Sequence, residues 1–151
     1  MKGRTLMEAT ERNNLVAPCG IDCGICELYT CRNDARLFSA LTLRGFPADK
    51  LPCDGCRAIE GHCPVIKERC ETYECVVEKK VDYCFDCSDF PCVKLHPSSK
   101  RADVLPHNMK VFNLCTIKRE GVESFVGKSS EFKKRYYAGI MEIGKGPQID
   151  N

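Results

Sequence analysis

Apolar residues recur every three or four positions in several short segments of this chain, which is the spacing of helices that bury one face. The first segment predicts a helix over residues 27–43 that ends at Gly45. The predicted buried stripe of this helix is Leu28, Cys31, Ala35, Phe38 and Leu41. A second helix is predicted from Pro64 to about Lys80, with an inner face formed by Ile66, Cys70, Tyr73 and Val77.

The remainder of the chain alternates between turn-forming and helical stretches. A short helix is predicted to begin at residues 90–92 and to end before Pro97, and residues 96–107 have the composition of a linker. Asn108 is a suitable cap for a helix that ends at Gly121. The segments predicted after it are two short helices, over residues 122–126 and 131–141, a break at residues 127–130, and a loose end over residues 144–151.

The predicted fold is small and mainly helical, with little regular β-sheet and with short helices joined by Cys-x-x-Cys turns. The 151 residues include no tryptophan, and 13 of the apolar residues are cysteines, so little apolar bulk remains for a core. We therefore expect bound metal to stabilise a cysteine-rich module over residues 1–95. Residues 96–151 are expected to form a basic helical segment that packs on this module or is appended to it.

Twelve of the 13 cysteines lie between Cys19 and Cys92, and six of them form three Cys-x-x-Cys pairs. Two sulfurs at this spacing on a tight turn can point toward one ion, so each pair supplies half of a tetrahedral site. Gly24 and Gly55 suit such turns because glycine accepts positive φ angles, whereas the third pair lacks a glycine. The candidate metal ligands are Cys19, Cys23, Cys26, Cys31, Cys53, Cys56, Cys63, Cys70, Cys75, Cys84, Cys87 and Cys92.

The predicted metal is zinc, in about two or three ions per chain, and an iron-sulfur cluster is the alternative. Nearly pure cysteine ligation suits both metals. No ferredoxin spacing matches, and a closed four-thiolate zinc site stabilises folding without redox chemistry. Cys19, Cys23 and Cys26 have the spacing of radical S-adenosylmethionine enzymes, but the chain is too short for the barrel that those enzymes need.

Disulfides, redox catalysis and membrane insertion are all disfavoured. Residues 1–18 contain no apolar segment of the signal-peptide type, so we expect a cytoplasmic protein with reduced thiols. The segments around the cysteine pairs show little strand pattern, which argues against thioredoxin-like chemistry. No nucleophile motif or phosphate-binding glycine loop occurs, so an enzyme is not expected. No apolar run approaches the roughly 18 residues of a membrane span.

Several residues outside the pairs leave alternatives open. Cys75 is either a ligand reached from the side of the second helix or a buried free thiol. Cys115 lies among apolar residues of a later helix, so it is expected to be a small core residue and not a ligand. The histidines are interpreted as turn or surface residues, with metal ligation as the alternative, and they are His62, His96 and His107.

Charge divides the chain in the same place as cysteine. Residues 1–93 carry 12 basic and 15 acidic side chains, whereas residues 94–151 carry 11 basic and 6 acidic ones. The densest basic patch consists of Lys128, Lys133, Lys134 and Arg135. Together with the tyrosines that follow, these cations form a candidate surface for a protein or nucleic acid. The alternative is a solvated helix face with Phe132, Tyr136 and Tyr137 docked inward.

Three stretches of sequence carry a family resemblance. They are residues 15–26 (LVAPCGIDCGIC), 53–56 (CDGC) and 83–92 (YCFDCSDFPC). Over about residues 15–95 the chain resembles the prokaryotic cysteine-rich domain of unknown function numbered 3795. The resemblance implies a metal-binding protein, with zinc as the expected metal and no assigned activity. Its matching positions are Cys19, Cys23, Cys26, Cys53, Cys56, Cys63, Cys70, Cys84, Cys87 and Cys92, while Cys31 and Cys75 are supported by spacing alone.

The function expected from the sequence is that of a zinc-binding structural or binding module with closed thiolate sites. An iron-sulfur protein in electron transfer or redox sensing is the first alternative. A zinc module that binds nucleic acid through its basic segment is the second.

Overall fold

The computed structural model describes residues 6–95 and 109–149, which form six helices and one small sheet. The helices are α1 (Leu6–Asn14), α2 (Glu27–Thr30), α3 (Ala35–Leu43), α4 (Glu71–Lys79), α5 (Lys110–Glu120) and α6 (Val122–Ala138). The antiparallel strands are β1 (Ile140–Glu142) and β2 (Gly146–Gln148). Single turns of 3₁₀-helix lie at Cys23–Ile25, Cys31–Asn33, Ala48–Lys50 and Cys84–Asp86. The predicted mainly helical fold is confirmed, and in the described ranges no helix is long and apolar enough to cross a membrane.

The helix predicted over residues 27–43 is interrupted at Asp34. The carboxylate of Asp34 accepts hydrogen bonds from the backbone amides of Arg36 and Leu37, both at 3.0 Å, and so starts α3 as a new helix. Ala35, predicted to be buried, is exposed because it directly follows this cap. The predicted positions that are buried are Leu28, Cys31 and Leu41.

The second predicted helix begins later than expected. Its first residue is Glu71, not Pro64, because Cys70 keeps an extended backbone and donates its amide to the Gly61 carbonyl at 3.0 Å. Cys70 therefore precedes the helix and does not lie on its inner face. Val77 is 52% exposed, and the helix buries Val76 in its place.

Residues 90–95 form turns, so the short helix predicted to begin at residues 90–92 is wrong within this range. Leu95, the last described residue of this segment, is nevertheless buried, with an exposed fraction of 1%. The predicted linker at residues 96–107 and the predicted cap Asn108 lie outside the described residues.

The C-terminal segment is more regular than predicted. Gly121 ends α5 with a φ of 86°, as expected, but α6 runs without a break through residues 127–130. Ser129 explains the continuity, because its buried hydroxyl donates to the Asp22 carboxylate at 2.6 Å and fixes this turn of helix against the rest of the chain. The end predicted to be loose instead pairs as a hairpin, in which Ile140 lies opposite Gln148.

Three small apolar clusters form the core of the described residues. The first contains Leu28, Cys31, Leu41 and Leu51, the second Val76, Cys84, Leu95 and Leu114, and the third Val16, Ile117 and Phe125. Helices α5 and α6 contribute to the second and third clusters and pack on elements of the first 95 residues. The clusters are small, and cysteines are members of two of them.

A buried ion pair joins the N-terminal helix to the rest of the fold. Both oxygens of Asp22 accept from the guanidinium of Arg12, at 2.8 and 2.6 Å, and the Asp22 side chain is only 1% exposed. The same carboxylate accepts from the Gly24 amide at 2.9 Å and from Ser129. One side chain therefore holds α1, the first cysteine turn and α6 together.

Candidate metal centre

The first cysteine pair lies on a 3₁₀ turn that Asp22 caps. The Cys23 amide donates to the Leu15 carbonyl at 2.9 Å, and the Cys26 amide donates to the Cys23 carbonyl at 3.1 Å. Gly24 lacks the positive φ angle that was expected of it. A glycine at this position leaves room for the Arg12 guanidinium, which would lie 2.6 Å from a Cβ atom there and which pairs with Asp22.

The second cysteine pair is held against the first by backbone hydrogen bonds. The Cys53 amide donates to the Leu28 carbonyl at 2.8 Å, and the Cys56 amide donates to the Cys23 sulfur at 3.4 Å. Gly55 has a φ of 94°, as predicted, and its amide donates to the Cys53 sulfur at 3.4 Å. Amides that point at sulfur favour the thiolate form, which is the form that binds metal.

Eight cysteines lie near one another in this part of the fold. The Cys56 thiol interacts electrostatically with four other cysteine thiols, and Cys63 and Cys53 extend the set to the remaining members. We call this set the eight-cysteine group: Cys19, Cys23, Cys26, Cys31, Cys53, Cys56, Cys63 and Cys70.

Burial makes most of these thiols hard to ionise. It raises the pKa of Cys23 to about 12 and that of Cys63 to about 11. The pKa of Cys56 is raised as well, first by burial and then by the neighbouring thiols. Thiolates in this group would repel one another, so a bound cation would offset a charge that the protein alone disfavours.

A second set surrounds a small cavity of about 20 Å³ at the end of α4. We call it the four-cysteine group: Cys75, Cys84, Cys87 and Cys92. Burial raises the pKa of Cys84 to about 12, and the neighbouring thiols of Cys19, Cys92 and Cys75 act in the same direction. Cys75 therefore lies on the cavity side of its helix, next to the cysteines that follow it in sequence.

The third cysteine pair forms its turn without a glycine. Residues Cys84–Asp86 make a 3₁₀ turn of the same kind as the first pair, and the Asp86 carboxylate accepts from the Tyr83 amide at 3.1 Å. The Asp89 amide donates to the Cys87 sulfur at 3.4 Å. The Asp86 carboxylate therefore stabilises this turn in the absence of a glycine.

Lys79 is a site residue that the sequence analysis missed. Its ammonium group forms an ion pair with Asp89 and lies within hydrogen-bonding range of the Cys87 thiol, and these contacts raise the pKa of Lys79. The sequence does contain a signal for this placement. Lys79 follows Cys75 by four residues, so the two side chains share one face of α4.

The donor set fits a soft divalent ion by its chemistry. Thiolates without histidine or carboxylate partners are the ligands that select zinc and iron. Within residues 6–95 and 109–149, however, no three His, Cys, Asp or Glu side chains are arranged to hold a metal ion. The fold brings the thiols into two neighbourhoods, and side-chain rotation is needed to close any site around an ion.

The predicted basic patch is largely engaged in contacts within the chain. Lys133 donates to the Ile25 carbonyl at 2.9 Å and to Glu27 at 2.6 Å, which ties α6 to the first cysteine turn. The other contacts are Lys128 with Glu120 and Arg135 with Glu131, while Lys134 is exposed. These contacts do not favour a nucleic-acid surface.

The aromatic residues of α6 agree only in part with the alternative of inward docking. Phe132 packs against the third core cluster, as that alternative requires. Tyr136 and Tyr137 are 44% and 45% exposed, so they are not docked inward.

Two predictions about single residues have different outcomes. Cys115 was expected in the core but is exposed, because α5 turns Leu114 and Ile117 inward and leaves the intervening face to solvent. His62 is exposed, in agreement with a turn residue. His96 and His107 lie outside the described residues.

Fold and site together define a small, mainly helical, cysteine-rich protein. The chain belongs to the family described as "Protein of unknown function (DUF3795)", whose sequence profile matches residues 15–97. The matched range contains both cysteine groups and agrees with the family resemblance found in the sequence. Neither a curated protein nor a solved structure matches the chain.

Proposed function

We propose that this protein binds zinc through closed cysteine-thiolate sites, and that these sites stabilise a module that binds other molecules. The observation that carries the proposal is the gathering of all twelve candidate cysteines into two neighbourhoods. Their segments lie far apart in sequence, since Cys19 and Cys92 are at opposite ends of the array. All twelve thiols are buried or partly buried, and so many thiols side by side are typical of a protein that binds a metal.

Zinc suits this structural role better than other metals because the core contains few apolar side chains. The apolar clusters of the described residues are small, and structural zinc contributes folding free energy directly. Four thiolates fill the tetrahedral coordination of zinc and leave no position for water or substrate. A closed site of this kind has a structural role and no catalytic one.

The chain's own groups prepare the sulfurs for such an ion. The amides of Gly55, Cys56 and Asp89 donate to sulfur atoms, and this hydrogen bonding lowers the cost of forming thiolates. Lys79 brings a positive charge to Cys87. When bound, zinc would supply a cross-link between segments that otherwise meet through few apolar contacts.

An iron-sulfur cluster would use the same ligands, so the metal itself must be measured. We expect the full chain, purified under nitrogen, to be colourless and to contain about two or three zinc ions. Brown protein with iron and acid-labile sulfide would replace the proposal with the iron-sulfur alternative. Protein that retains no metal after purification with zinc in the medium would refute both.

A matched control comes from the one cysteine outside the array. Cys115 is exposed and belongs to neither cysteine group. The Cys115→Ser variant should therefore contain as much zinc as the unchanged chain. A loss of zinc in this variant would contradict the assignment of the metal to residues 19–92.

A further inference from the structure

The four-cysteine group is built from a single short region of the chain. Cys75 lies on α4, Cys84 begins the 3₁₀ turn, Cys87 follows that turn, and Cys92 lies in the turn after it. All four side chains line the same cavity, and rotation of these side chains is needed to bring their sulfurs around one ion. The other cysteines of the array line no part of it.

The size of this cavity is of the scale of one ion. At about 20 Å³ it accommodates little more than one water-sized sphere, for which roughly 10–15 Å³ suffices. A zinc ion with sulfurs at about 2.3 Å is of that scale.

The walls of the cavity suit a site with surplus negative charge. Four thiolates around a divalent cation carry a net charge of about −2, which needs a nearby positive charge or amide donors. Lys79 and Lys94 line the cavity, and the Asp89 amide donates to the Cys87 sulfur at 3.4 Å. Asp89 in turn forms an ion pair with Lys79, which holds the Lys79 side chain at the edge of the cavity.

We propose that Cys75, Cys84, Cys87 and Cys92 bind one tetrahedral divalent ion of the zinc class, separately from the eight-cysteine group. In this site the ammonium group of Lys79 is the positive charge next to Cys87. This inference rests on the proposed function and adds to it the membership of one site. It makes residues 71–95 a metal module in their own right within the fold.

Cys19 is the competing ligand. Among the neighbouring thiols, Cys19 has the largest effect on Cys84, ahead of Cys92 and Cys75, and the Cys84 amide donates to the Pro18 carbonyl at 2.9 Å. Cys19 also interacts with Cys56, so it adjoins both groups. We place it in the eight-cysteine group because it does not line the cavity.

The membership of the site can be read without mutation. The reduced full chain is loaded with the NMR-active isotope of cadmium, which replaces zinc, and a proton–cadmium correlation spectrum links each ion to the β protons of its ligands. We expect one cadmium signal that correlates with Cys75, Cys84, Cys87 and Cys92 and with no other residue. A signal shared between any of these and Cys19 or another member of the eight-cysteine group would overturn the inference.

Failure of the proposed function gives a different result. If the chain binds no cadmium or zinc at all, both proposals fall together. If it binds cadmium only through the eight-cysteine group, the zinc function stands and the separate site is wrong.

Variants supply a second test by native mass spectrometry. We expect Cys92→Ser to lose one ion and to keep the others, whereas Cys115→Ser keeps all of them. Loss of every ion from Cys92→Ser while circular dichroism still shows a folded chain would contradict separate sites.

For Lys79→Met we expect the same number of ions but about tenfold faster release of one of them to a chelator. An unchanged rate would contradict the role of Lys79.

Discussion

The two cysteine groups differ in how the chain assembles them. The four-cysteine group comes from residues 75–92, and a helix followed by two turns suffices to bring its thiols together. The eight-cysteine group draws on residues 19–31, 53–56 and 63–70, which meet only after the intervening loops have closed. Local segments form contacts at lower entropic cost than distant ones. The two groups thus present the same thiol chemistry, one through local structure and the other through long-range structure.

Different contacts therefore support the two groups. The buried pair of Arg12 and Asp22 and the contact from Ser129 hold the first cysteine turn. The four-cysteine group relies instead on α4 and on apolar contacts with Leu95 and Leu114. A substitution that removes the contacts supporting one group should therefore affect metal binding by that group more than by the other.

Removal of metal is expected to have the largest effect. Structural zinc contributes on the order of 10 kcal/mol to the folding of small domains, so a chelator under reducing conditions should unfold both groups. Far-UV circular dichroism and thermal unfolding measure the change, and a chelator already saturated with zinc is the control. An unchanged melting temperature after complete stripping would show that metal does not stabilise the fold.

Acidification should have the next largest effect. With the pKa of Cys23 and of Cys84 raised to about 12 by burial, these thiols are protonated at pH 7. An ion held by four such thiols displaces about four protons, so its binding free energy weakens by about 5 kcal/mol for each unit that the pH falls and strengthens as the pH rises. Calorimetry in two buffers of different ionisation enthalpy counts the protons. Release of fewer than about two per ion would contradict closed four-thiolate sites.

Substitution of Asp22 should distinguish the groups. In Asp22→Asn the Arg12 charge stays buried without its partner, which typically costs about 3 kcal/mol. We expect the eight-cysteine group to lose its ions first as urea is increased, while the four-cysteine group retains its ion longer. The matched control is Glu131→Gln, which removes an exposed ion pair with Arg135 and should change the unfolding free energy by less than about 0.5 kcal/mol. Equal losses in the two variants would refute the role of the buried pair.

The smallest expected effect concerns the contact between α6 and the first cysteine turn. Lys133→Met removes a partly exposed ion pair with Glu27 and a hydrogen bond to Ile25, and should destabilise the chain by about 0.5 kcal/mol. Lys134→Met, at an exposed position on the same helix, should have no measurable effect. Urea unfolding of the two variants provides the comparison, and identical midpoints would contradict docking through Lys133.

What the sequence predicts well is local. The three Cys-x-x-Cys turns are visible from spacing alone, and the cavity at α4 gathers four cysteines from one short region. Gly121 is a readable helix stop. The break at Asp34 also has a local signal, since Asp is a typical helix cap, although apolar periodicity on both sides obscures it.

The rest depends on contacts between distant residues. Ser129 and Asp22 are 107 positions apart, and their hydrogen bond explains why α6 continues through a stretch that looks like a break. The role of Gly24 depends on Arg12, which belongs to a helix that the apolar pattern did not predict. Division of the cysteines into two groups likewise follows from packing, because nothing in the sequence distinguishes one candidate thiol ligand from another.

X-ray absorption spectroscopy at the zinc edge, on the full chain purified under nitrogen, shows which atoms surround each ion. We expect a first shell of about four sulfur atoms at about 2.3 Å around every ion, without nitrogen or oxygen. A shell that contains nitrogen or oxygen, or iron with neighbouring iron and sulfide in place of zinc, would contradict this expectation.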